Sequence, residues 1–456
     1  MQTKWIQMYQ DKLKSPEEAV KLIDNGDGIS FPTMNGTPRY LSKALADRIE
    51  RDEVHDLDLI VGLNLNAPDL IKPSVLSKVK YNGGYISPLE RAAAQKNLID
   101  YWACRFFDIP RCMDEVRGIN VCFMTTSQMD EHGYFSASAN CSHTYSLFRR
   151  LKMLGKPVKL FIEVNKNAPF CYGYNHFHIS EVTALTEGNW DLITLPVEEP
   201  DEKDIAIAGY IAEEIPDGAT VQLGIGKLPN AVGKQLTNKK DLGCHSEMIV
   251  DAYLDLYKSG ALNNSKKTYM PGRSVGTLVA GSKELFKWVD KNPSVWIYGI
   301  DDCANPDIIA KNDNFMAVNS IMECDLSGQC ISESSGILPY SGMGGQADFV
   351  EGAWKSKGGK AFLCMYSTYT DKEGKLHSKI KPVVNGWVGV TRNDVQYLVT
   401  EYGCVYLKGR SIGERVKLII SIAHPDFREE LAYEAKRLGI INPDTDISLK
   451  NMRKTI

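Results

Sequence analysis

The sequence lacks any run of about eighteen uninterrupted apolar residues, the length that a membrane-spanning helix requires. It also lacks blocks of like charge: 53 lysines and arginines and 57 acidic residues are spread along the chain, leaving a net charge of −4. This balance provides no electrostatic reason to expect binding to nucleic acid or to an acidic membrane. The first residues, MQTKWIQMYQDKLKS, contain no apolar signal-peptide core, so we expect a cytoplasmic protein.

Cysteine and histidine are present without the spacings of a redox or metal site. The 11 cysteines include no CxxC pair and no zinc-finger spacing, which predicts reduced thiols, with Cys244 buried in a strand. His176 and His178 form an H-x-H pair, but no third residue has the spacing of a further zinc ligand. We therefore predict no bound metal and no permanently bound cofactor.

The 456 residues, of which 43% are hydrophobic and 24% charged, have the composition of a globular protein with two or three domains. Apolar runs of strand length alternate with helical stretches, which predicts parallel α/β units. Strands are predicted at 29–32, 57–65, 121–125, 158–164, 220–223, 295–299, 315–319, 361–366 and 387–391, and helices at 89–105, 205–214, 248–257 and before Gly439. The acidic, proline-containing segment 196–204 predicts a boundary between domains 1–200 and 201–456.

The stretch from Val221 to Asp251 is the part around which we expect the molecule to be organised. A short β-prone segment ends at Gly224-Ile225-Gly226, and Pro229 follows where the first turn of a helix accepts a proline. A strand, a glycine turn and a helix start leave backbone N–H groups directed at whatever lies above the turn. Such a cradle suits a phosphate or the oxyanion of an acyl-transfer intermediate.

Glu247 lies at a second predicted junction between a strand and a helix. A carboxylate at the carboxyl end of a strand, beside a turn rich in donors, could act as a covalent nucleophile. Alternatively, Glu247 could merely cap or charge the first turn of its helix. On spacing alone, the structural role is the favoured one, because an isolated motif of this kind has little specificity.

Longer motifs in the sequence favour the catalytic role of Glu247 instead. They are GIGKLPNAV at 224–232, DLGCHSEMIVDAYLDLYKSGAL at 241–262, SGMGGQADFVEGA at 341–353 and TRNDVQYLVTEYG at 391–403, with DEHGYFS and HFHISEV in the N-terminal half. With these motifs the chain resembles the family I CoA-transferases, in the branch of 4-hydroxybutyrate CoA-transferase, butyryl-CoA:acetate CoA-transferase and acetyl-CoA hydrolase-like proteins. The resemblance implies two similar open α/β domains with the active site in the cleft between them, and Glu247 as the nucleophile.

The resemblance also implies where coenzyme A binds. It assigns the segment Gly224, Ile225, Gly226, Lys227 and Leu228 to CoA contact and oxyanion stabilisation, and it places Gly344 and Gly345 near the thioester. The phosphates of CoA require cations, for which Lys379 and Lys227 are the candidates. Asn319 is the candidate for a hydrogen bond to the CoA arm, although Ser320 replaces the proline that is usual after it in this family.

Other stretches leave alternatives open. The segments 35–38 and 83–85 could line the acid-substrate side or could form ordinary turns. The aromatic residues Tyr101, Trp102, Phe106 and Phe107 could select a different acyl group, but we interpret them as core packing. Because a glutamate of ordinary pKa, about 4.3, is anionic at neutral pH, Glu247 needs no general base.

The expected function is transfer of CoA from an acyl-CoA to a short-chain carboxylate such as acetate, butyrate or 4-hydroxybutyrate, through a glutamyl-CoA thioester. The alternatives are an acyl-CoA hydrolase that uses the same glutamate and a non-catalytic acyl-CoA-binding protein. The expected partners are acyl-CoA and small carboxylates, not nucleic acid or membrane, and the expected assembly is a homodimer or homotetramer.

Overall fold

The computed structural model describes residues 3–447 and shows an α/β protein. Its N-terminal half forms a seven-stranded sheet in which all pairs are parallel. In spatial order the strands are Asp100–Tyr101, Lys80–Gly83, Asp58–Val61, Gly28–Phe31, Val121–Thr126, Lys159–Asn165 and Ala184–Gly188. All six residues of the central strand Val121–Thr126 are buried, as expected for a parallel sheet that is covered on both faces.

The C-terminal half forms a second sheet of six strands. In spatial order they are Gly243–Cys244, Thr220–Leu223, Phe315–Ser320, Lys360–Cys364, Tyr397–Thr400 and Gly403–Tyr406. The first five strands are parallel, and the last pairs antiparallel at the edge. The sequence prediction of parallel α/β units in both halves is thus confirmed.

Helices connect the strands in both halves. Those of the N-terminal half are Thr3–Lys12, Pro16–Val20, Arg39–Glu50, Pro73–Leu76, Arg91–Ala94, Ile109–Cys112 and Ser142–Met153. Those of the C-terminal half are Glu202–Glu214, Lys227–Gln235, Asp251–Lys258, Lys283–Val289, Ile300–Cys303, Pro306–Ile309, Gln346–Lys355, Ile412–Ser421 and Arg428–Arg437. The last helix ends before Gly439, whose φ of 69° is the left-handed conformation predicted for a glycine stop.

Two predicted strands exist but lie outside the main sheets. Val295–Ile297 pairs with Ser274–Gly276, and Val388–Val390 belongs to a four-stranded sheet. That sheet also contains Ile380–Lys381, Glu323–Asp325 and Cys330–Ile331. The other small pairs are Met248–Ile249 with Leu278–Val279, Ser334–Ser335 with Leu338–Pro339, Thr368–Thr370 with Leu376–Ser378, and Tyr134–Ser136 with His176–His178.

Two helix predictions are wrong in extent. The stretch 89–105 contains only the short helix Arg91–Ala94, because Asn97 takes a left-handed φ of 57° and Asp100–Tyr101 then pairs at the edge of the sheet. The helix predicted from Met248 begins instead at Asp251, because Met248–Ile249 is extended and pairs with Leu278–Val279. Glu247 therefore does not cap this helix, whose N-cap is Val250, and the role of Glu247 as the nucleophile stays a prediction.

One continuous buried apolar cluster includes residues of both halves, from Ile60 to Ile441. The domain boundary placed at 196–204 stays a prediction, and positions 448–456 of the predicted second domain lie outside the described residues. Among residues 3–447, no helix is long and apolar enough to cross a membrane.

Candidate active site

Three parallel strands of the C-terminal sheet end at one edge, where the chain continues into loops. Thr220–Leu223 continues into Gly224 and Ile225, Gly243–Cys244 continues toward Glu247, and Phe315–Ser320 ends with Asn319 and Ser320. The carboxyl ends of parallel strands are where open α/β sheets bind ligands. These residues line one cavity of about 210 Å³.

The backbone of Glu247 is held by hydrogen bonds from the adjacent segment 277–278. Its carbonyl oxygen accepts hydrogen bonds from the N–H groups of Thr277, at 3.0 Å, and Leu278, at 3.2 Å. The residues before it, Cys244 to Ser246, are fully buried. With its main chain anchored in this way, the half-buried Glu247 side chain faces the cavity.

The carboxylate of Glu247 meets the second glycine loop. The N–H of Gly345 donates a hydrogen bond of 2.6 Å to Oε2 of Glu247. A Cβ at Gly345 would lie 2.4 Å from the same oxygen, and Gly344 has a left-handed φ of 53°. Gly345 is therefore required by the close approach of this loop to the carboxylate, and Gly344 is favoured by its left-handed backbone conformation.

The ionisation of Glu247 differs from the sequence expectation. Burial raises the pKa of Glu247 to about 7, and the negative charge of Asp348 acts in the same direction, while the hydrogen bond from Gly345 opposes the rise. The carboxyl is then about half ionised at pH 7, whereas the ordinary pKa of a glutamate predicted full ionisation.

Asp348 connects the site to the N-terminal half. Its side chain, 1% exposed, accepts a hydrogen bond of 2.7 Å from Nε of Arg105 and one of 3.2 Å from the N–H of Phe107. Arg105 also contacts Glu351 one turn further along the helix Gln346–Lys355. This ion pair fixes the start of the helix, and with it the N–H of Gly345, relative to the opposite half.

The predicted glycine turn lies in part on the cavity. Gly224 and Ile225 line it, and Gly226, with a φ of 112°, precedes the helix Lys227–Gln235. Lys227 does not line the cavity, and its Nζ lies 4.0 Å from Oε2 of Glu198. Leu228 is buried in the apolar cluster. The roles in CoA binding assigned to these five residues stay predictions.

Asn319 and Lys379 lie in different surroundings: Asn319 lies near the end of a strand of the six-stranded sheet, whereas Lys379 lies between Leu376–Ser378 and Ile380–Lys381 of two smaller sheets. Asn319 lines the cavity and exchanges two hydrogen bonds with the amide of Gln222, at 2.9 and 3.3 Å. Lys379 lies outside the cavity lining, half-buried, with Nζ 5.7 Å from the ring centre of Tyr366. Nζ of Lys203 lies 5.9 Å from the same ring and 3.7 Å from Oε1 of Glu401, and the role of Lys379 in phosphate binding stays a prediction.

The N-terminal half supplies the opposite wall of the cavity. Gly84 and Tyr85 lie there, and their place on the acid-substrate side stays a prediction, whereas Asn35 exchanges hydrogen bonds with the backbone of Ile193. Phe106 belongs to the buried apolar cluster and Trp102 packs against it, as the interpretation of core packing predicted, and both also line the cavity.

Sequence reasoning missed other cavity residues, namely Thr33, Met34, Leu63, Ile109, His143 and Leu278. They come from separate loops and strand ends and share no motif. The one available signal was the density of aromatic residues at 101–107.

The histidines that the sequence analysis singled out make hydrogen bonds within the fold. Nε2 of His245 lies 2.8 Å from the carbonyl of Cys303, and burial lowers its pKa to about 3. His178 bonds to Ser180, and Nδ1 of His176 bonds to the carbonyl of Gly173. Within residues 3–447, no group of three or more histidine, cysteine or acidic residues is arranged to hold a metal ion.

Glu247, half-buried between glycine loops at the carboxyl edge of a parallel sheet, lies where open α/β sheets bind ligands. Family models match on both sides of it: the acetyl-CoA hydrolase/transferase N-terminal domain over residues 1–200 and the C-terminal domain over residues 281–435. The chain belongs to the acetyl-CoA hydrolase/transferase family.

Relatives of known name cover nearly the whole chain. The chain is 39% identical to succinyl-CoA:cyclohexane-1-carboxylate CoA transferase of Geobacter metallireducens, over 95% of this chain and 97% of that protein. It is 38% identical to 4-hydroxybutyrate coenzyme A transferase of Clostridium kluyveri, over 95% and 99%. The crystal structure of RipA from Yersinia pestis superimposes with a TM-score of 0.90 at 36% identity, covering 96% of this chain and 100% of that one.

Proposed function

We propose that the protein transfers coenzyme A from an acyl-CoA to a short-chain carboxylate. The observation that carries the proposal is the carboxylate of Glu247, which faces the cavity and accepts a hydrogen bond of 2.6 Å from the main chain of Gly345. A nucleophile in such a place has both a substrate-sized space and a donor beside it. Relatives at 36% to 39% identity over nearly the whole chain are named CoA-transferases, which supports the same reaction.

The reaction requires no group beyond Glu247 and the two substrates. The ionised carboxylate attacks the carbonyl carbon of the acyl-CoA, and the C–S bond breaks to give an acyl-glutamyl anhydride and CoA thiolate. The thiolate then attacks the glutamyl carbonyl, which releases the donor acid and leaves a glutamyl-CoA thioester. The acceptor carboxylate reverses both steps, so new acyl-CoA leaves and Glu247 is regenerated.

The main chain around Glu247 serves the tetrahedral intermediates. Each addition places negative charge on a carbonyl oxygen, and a backbone N–H directed at such an oxygen contributes about 3–4 kcal/mol to the rate. Gly345 donates to the glutamate oxygen itself, and the glycine turn at Gly224 and Ile225 lines the same cavity. These are the donors that we assign to the oxyanions.

Acetate, butyrate and 4-hydroxybutyrate are the acids that we propose as substrates. The alternative activity is hydrolysis of acyl-CoA, which the family name includes and which requires only that water reach the glutamyl thioester. Release of CoA that does not depend on added carboxylate would identify the hydrolase. The homodimeric or homotetrameric assembly and the cytoplasmic location also remain proposals.

The test is the substitution Glu247→Gln, which keeps the shape and removes the nucleophile. We expect transfer to fall by at least about 1,000-fold, as when other covalent nucleophiles are removed. Glu90→Gln is the matched control: Glu90 is also a buried carboxyl, hydrogen-bonded by Tyr81, and lies outside the cavity lining. It should leave transfer within a few-fold of wild type.

A second readout follows the covalent intermediate. Incubation with acyl-CoA followed by borohydride should change the mass of the peptide that contains Glu247, in wild type and in Glu90→Gln but not in Glu247→Gln. Normal turnover by Glu247→Gln, or a mass change at another residue, would contradict the mechanism. Binding of acyl-CoA without any turnover in wild type would identify the non-catalytic alternative.

A further inference from the structure

The cavity at Glu247 has two chemically different walls. The wall from the C-terminal half contains Glu247, the two glycine loops and the amides of Gln222, Asn319 and Gln346. The wall from the N-terminal half is mainly apolar and contains Met34, Leu63, Trp102, Phe106 and Ile109. Because the arm of CoA carries amide groups that require hydrogen-bond partners, we assign it to the first wall, which directs the acyl chain on the other side of the thioester at the second.

Two polar side chains of the apolar wall, Thr33 and His143, are already engaged. Thr33 donates its hydroxyl to Oδ1 of Asn140 at 3.0 Å. The ring nitrogens of His143 lie 3.0 Å from the carbonyl of Phe31 and 3.0 Å from the hydroxyl of Ser142. Burial lowers the pKa of His143 to about 4, so the ring carries no charge at neutral pH. Neither side chain offers a charged partner to a ligand.

Cations are absent from the wall as well. Among the described residues that line this cavity, none is lysine or arginine. The nearest cation on this segment, Arg105, is held by Asp348 and Glu351. A second carboxylate on the acyl chain would therefore lose its hydration without gaining a counter-charge, which is strongly unfavourable.

We infer that, within the proposed transferase function, this site is selective for apolar monocarboxylates and rejects dicarboxylates such as succinate. The size of the cavity sets the upper limit of the chain. An apolar cavity of about 150 Å³ accommodates a benzene ring, so this one, of about 210 Å³, accommodates acyl groups of about four to six carbon atoms. Butyrate and cyclic acids of similar size make more contact with the apolar wall than acetate does.

The experiment measures kcat/KM for transfer from acetyl-CoA to butyrate and to succinate, with each acyl-CoA product quantified by mass spectrometry. We expect kcat/KM for butyrate to exceed that for succinate by at least about 100-fold, because the second charge of succinate finds no partner. If the protein hydrolyses acyl-CoA instead, the same ratio is measured with butyryl-CoA and succinyl-CoA.

Two variants test the assigned wall. Leu63→Lys adds a cation there and should lower the butyrate-to-succinate ratio by at least about 10-fold, since it supplies the missing counter-charge. Trp102→Ala removes apolar surface and should reduce kcat/KM for butyryl-CoA about 10-fold more than that for acetyl-CoA. Trp354→Ala is the control, because Trp354 is 52% exposed and outside the cavity lining, so both ratios should be unchanged.

The outcomes separate this inference from the transferase proposal. Transfer to succinate within about 10-fold of that to butyrate, in an enzyme that still depends on Glu247, overturns the selectivity and leaves the transferase function standing. Failure to form or cleave any acyl-CoA overturns both. An unchanged butyrate-to-succinate ratio in folded Leu63→Lys overturns the assignment of the apolar wall to the acyl chain.

Discussion

At the scale of single residues, the chemistry of Glu247 follows from its surroundings. Removal from water raises the free energy of the carboxylate, and the single N–H of Gly345 offsets only part of that rise. A carboxylate that is weakly solvated is a stronger nucleophile than one at the surface. The same burial gives the site a pH dependence in the physiological range.

We predict that kcat/KM rises with pH up to about 7 and is constant above it. Only the ionised carboxylate attacks, and with a pKa of about 7 the ionised fraction falls tenfold for each pH unit below that value. The measurement is kcat/KM from pH 5 to 9 with one acyl donor. A profile that is flat down to pH 5 would mean that Glu247 has an ordinary pKa or does not react.

Gly345 must be a glycine because its backbone lies against the carboxylate of Glu247. We predict that Gly345→Ala lowers kcat/KM by at least about 100-fold, because its Cβ would lie 2.4 Å from Oε2 of Glu247 and would displace the carboxylate or the N–H donor. The control is Gly209→Ala, in the helix Glu202–Glu214, where a Cβ meets no atom within 4 Å.

Gly209→Ala should leave activity unchanged and stabilise the protein by about 0.5–1 kcal/mol, the difference in helix propensity between glycine and alanine. Thermal unfolding of both variants separates loss of fold from loss of function. Wild-type turnover by Gly345→Ala would show that this loop is not close to the reacting carboxyl in solution.

At the scale of elements, the helix Gln346–Lys355 of the C-terminal half is held by the N-terminal half and in turn positions the main chain beside Glu247. Its first turn carries Asp348, and the residue before the helix supplies the N–H donor to Glu247. Arg105 holds this helix through Asp348 and Glu351. A change at Arg105 should therefore affect both stability and catalysis.

We predict that Arg105→Ala destabilises the protein by about 2 kcal/mol, because it leaves the buried carboxylate of Asp348 without its charged donor. It should also lower kcat, since the N–H of Gly345 is then less well placed. Lys43→Ala removes the exposed pair with Asp47 and should change stability by less than about 0.5 kcal/mol. The free energy of unfolding of both variants is measured by chemical denaturation. Equal losses of stability in Arg105→Ala and Lys43→Ala would show that Arg105 does not hold the helix Gln346–Lys355.

At the scale of the whole molecule, the two sheets are joined by a buried apolar cluster that includes residues of both halves. We predict that the halves unfold in one cooperative transition, so circular dichroism and tryptophan fluorescence should give coincident denaturation curves. Trp190, in the N-terminal half, and Trp288, in the C-terminal half, contribute to the fluorescence. Two separate transitions would indicate that the boundary predicted at 196–204 divides independent folding units.

Much of the architecture could be predicted from local patterns. The strands at Val121–Thr126 and Phe315–Ser320 are apolar runs bounded by polar residues, and the stop at Gly439 is a residue that tolerates a left-handed turn. The sequence also predicts the strands near 295 and 387. It does not predict that they pair outside the two main sheets, because their pairing partners are distant in the chain. Local pattern states that a strand exists and not which strand it joins.

The sequence by itself determined that this is an α/β chain with glycine-rich turns at 224–226 and 344–345, and its resemblance to a known family indicated Glu247 as the nucleophile. Only the tertiary structure decided that Gly345 donates a hydrogen bond to the carboxylate of Glu247 and that burial raises the pKa of Glu247 to about 7. It also decided that Trp102 and Phe106 line the same cavity as Glu247. The reason is physical: backbone conformation depends on neighbours in the chain, whereas desolvation, charge and cavity shape depend on groups brought together from both halves.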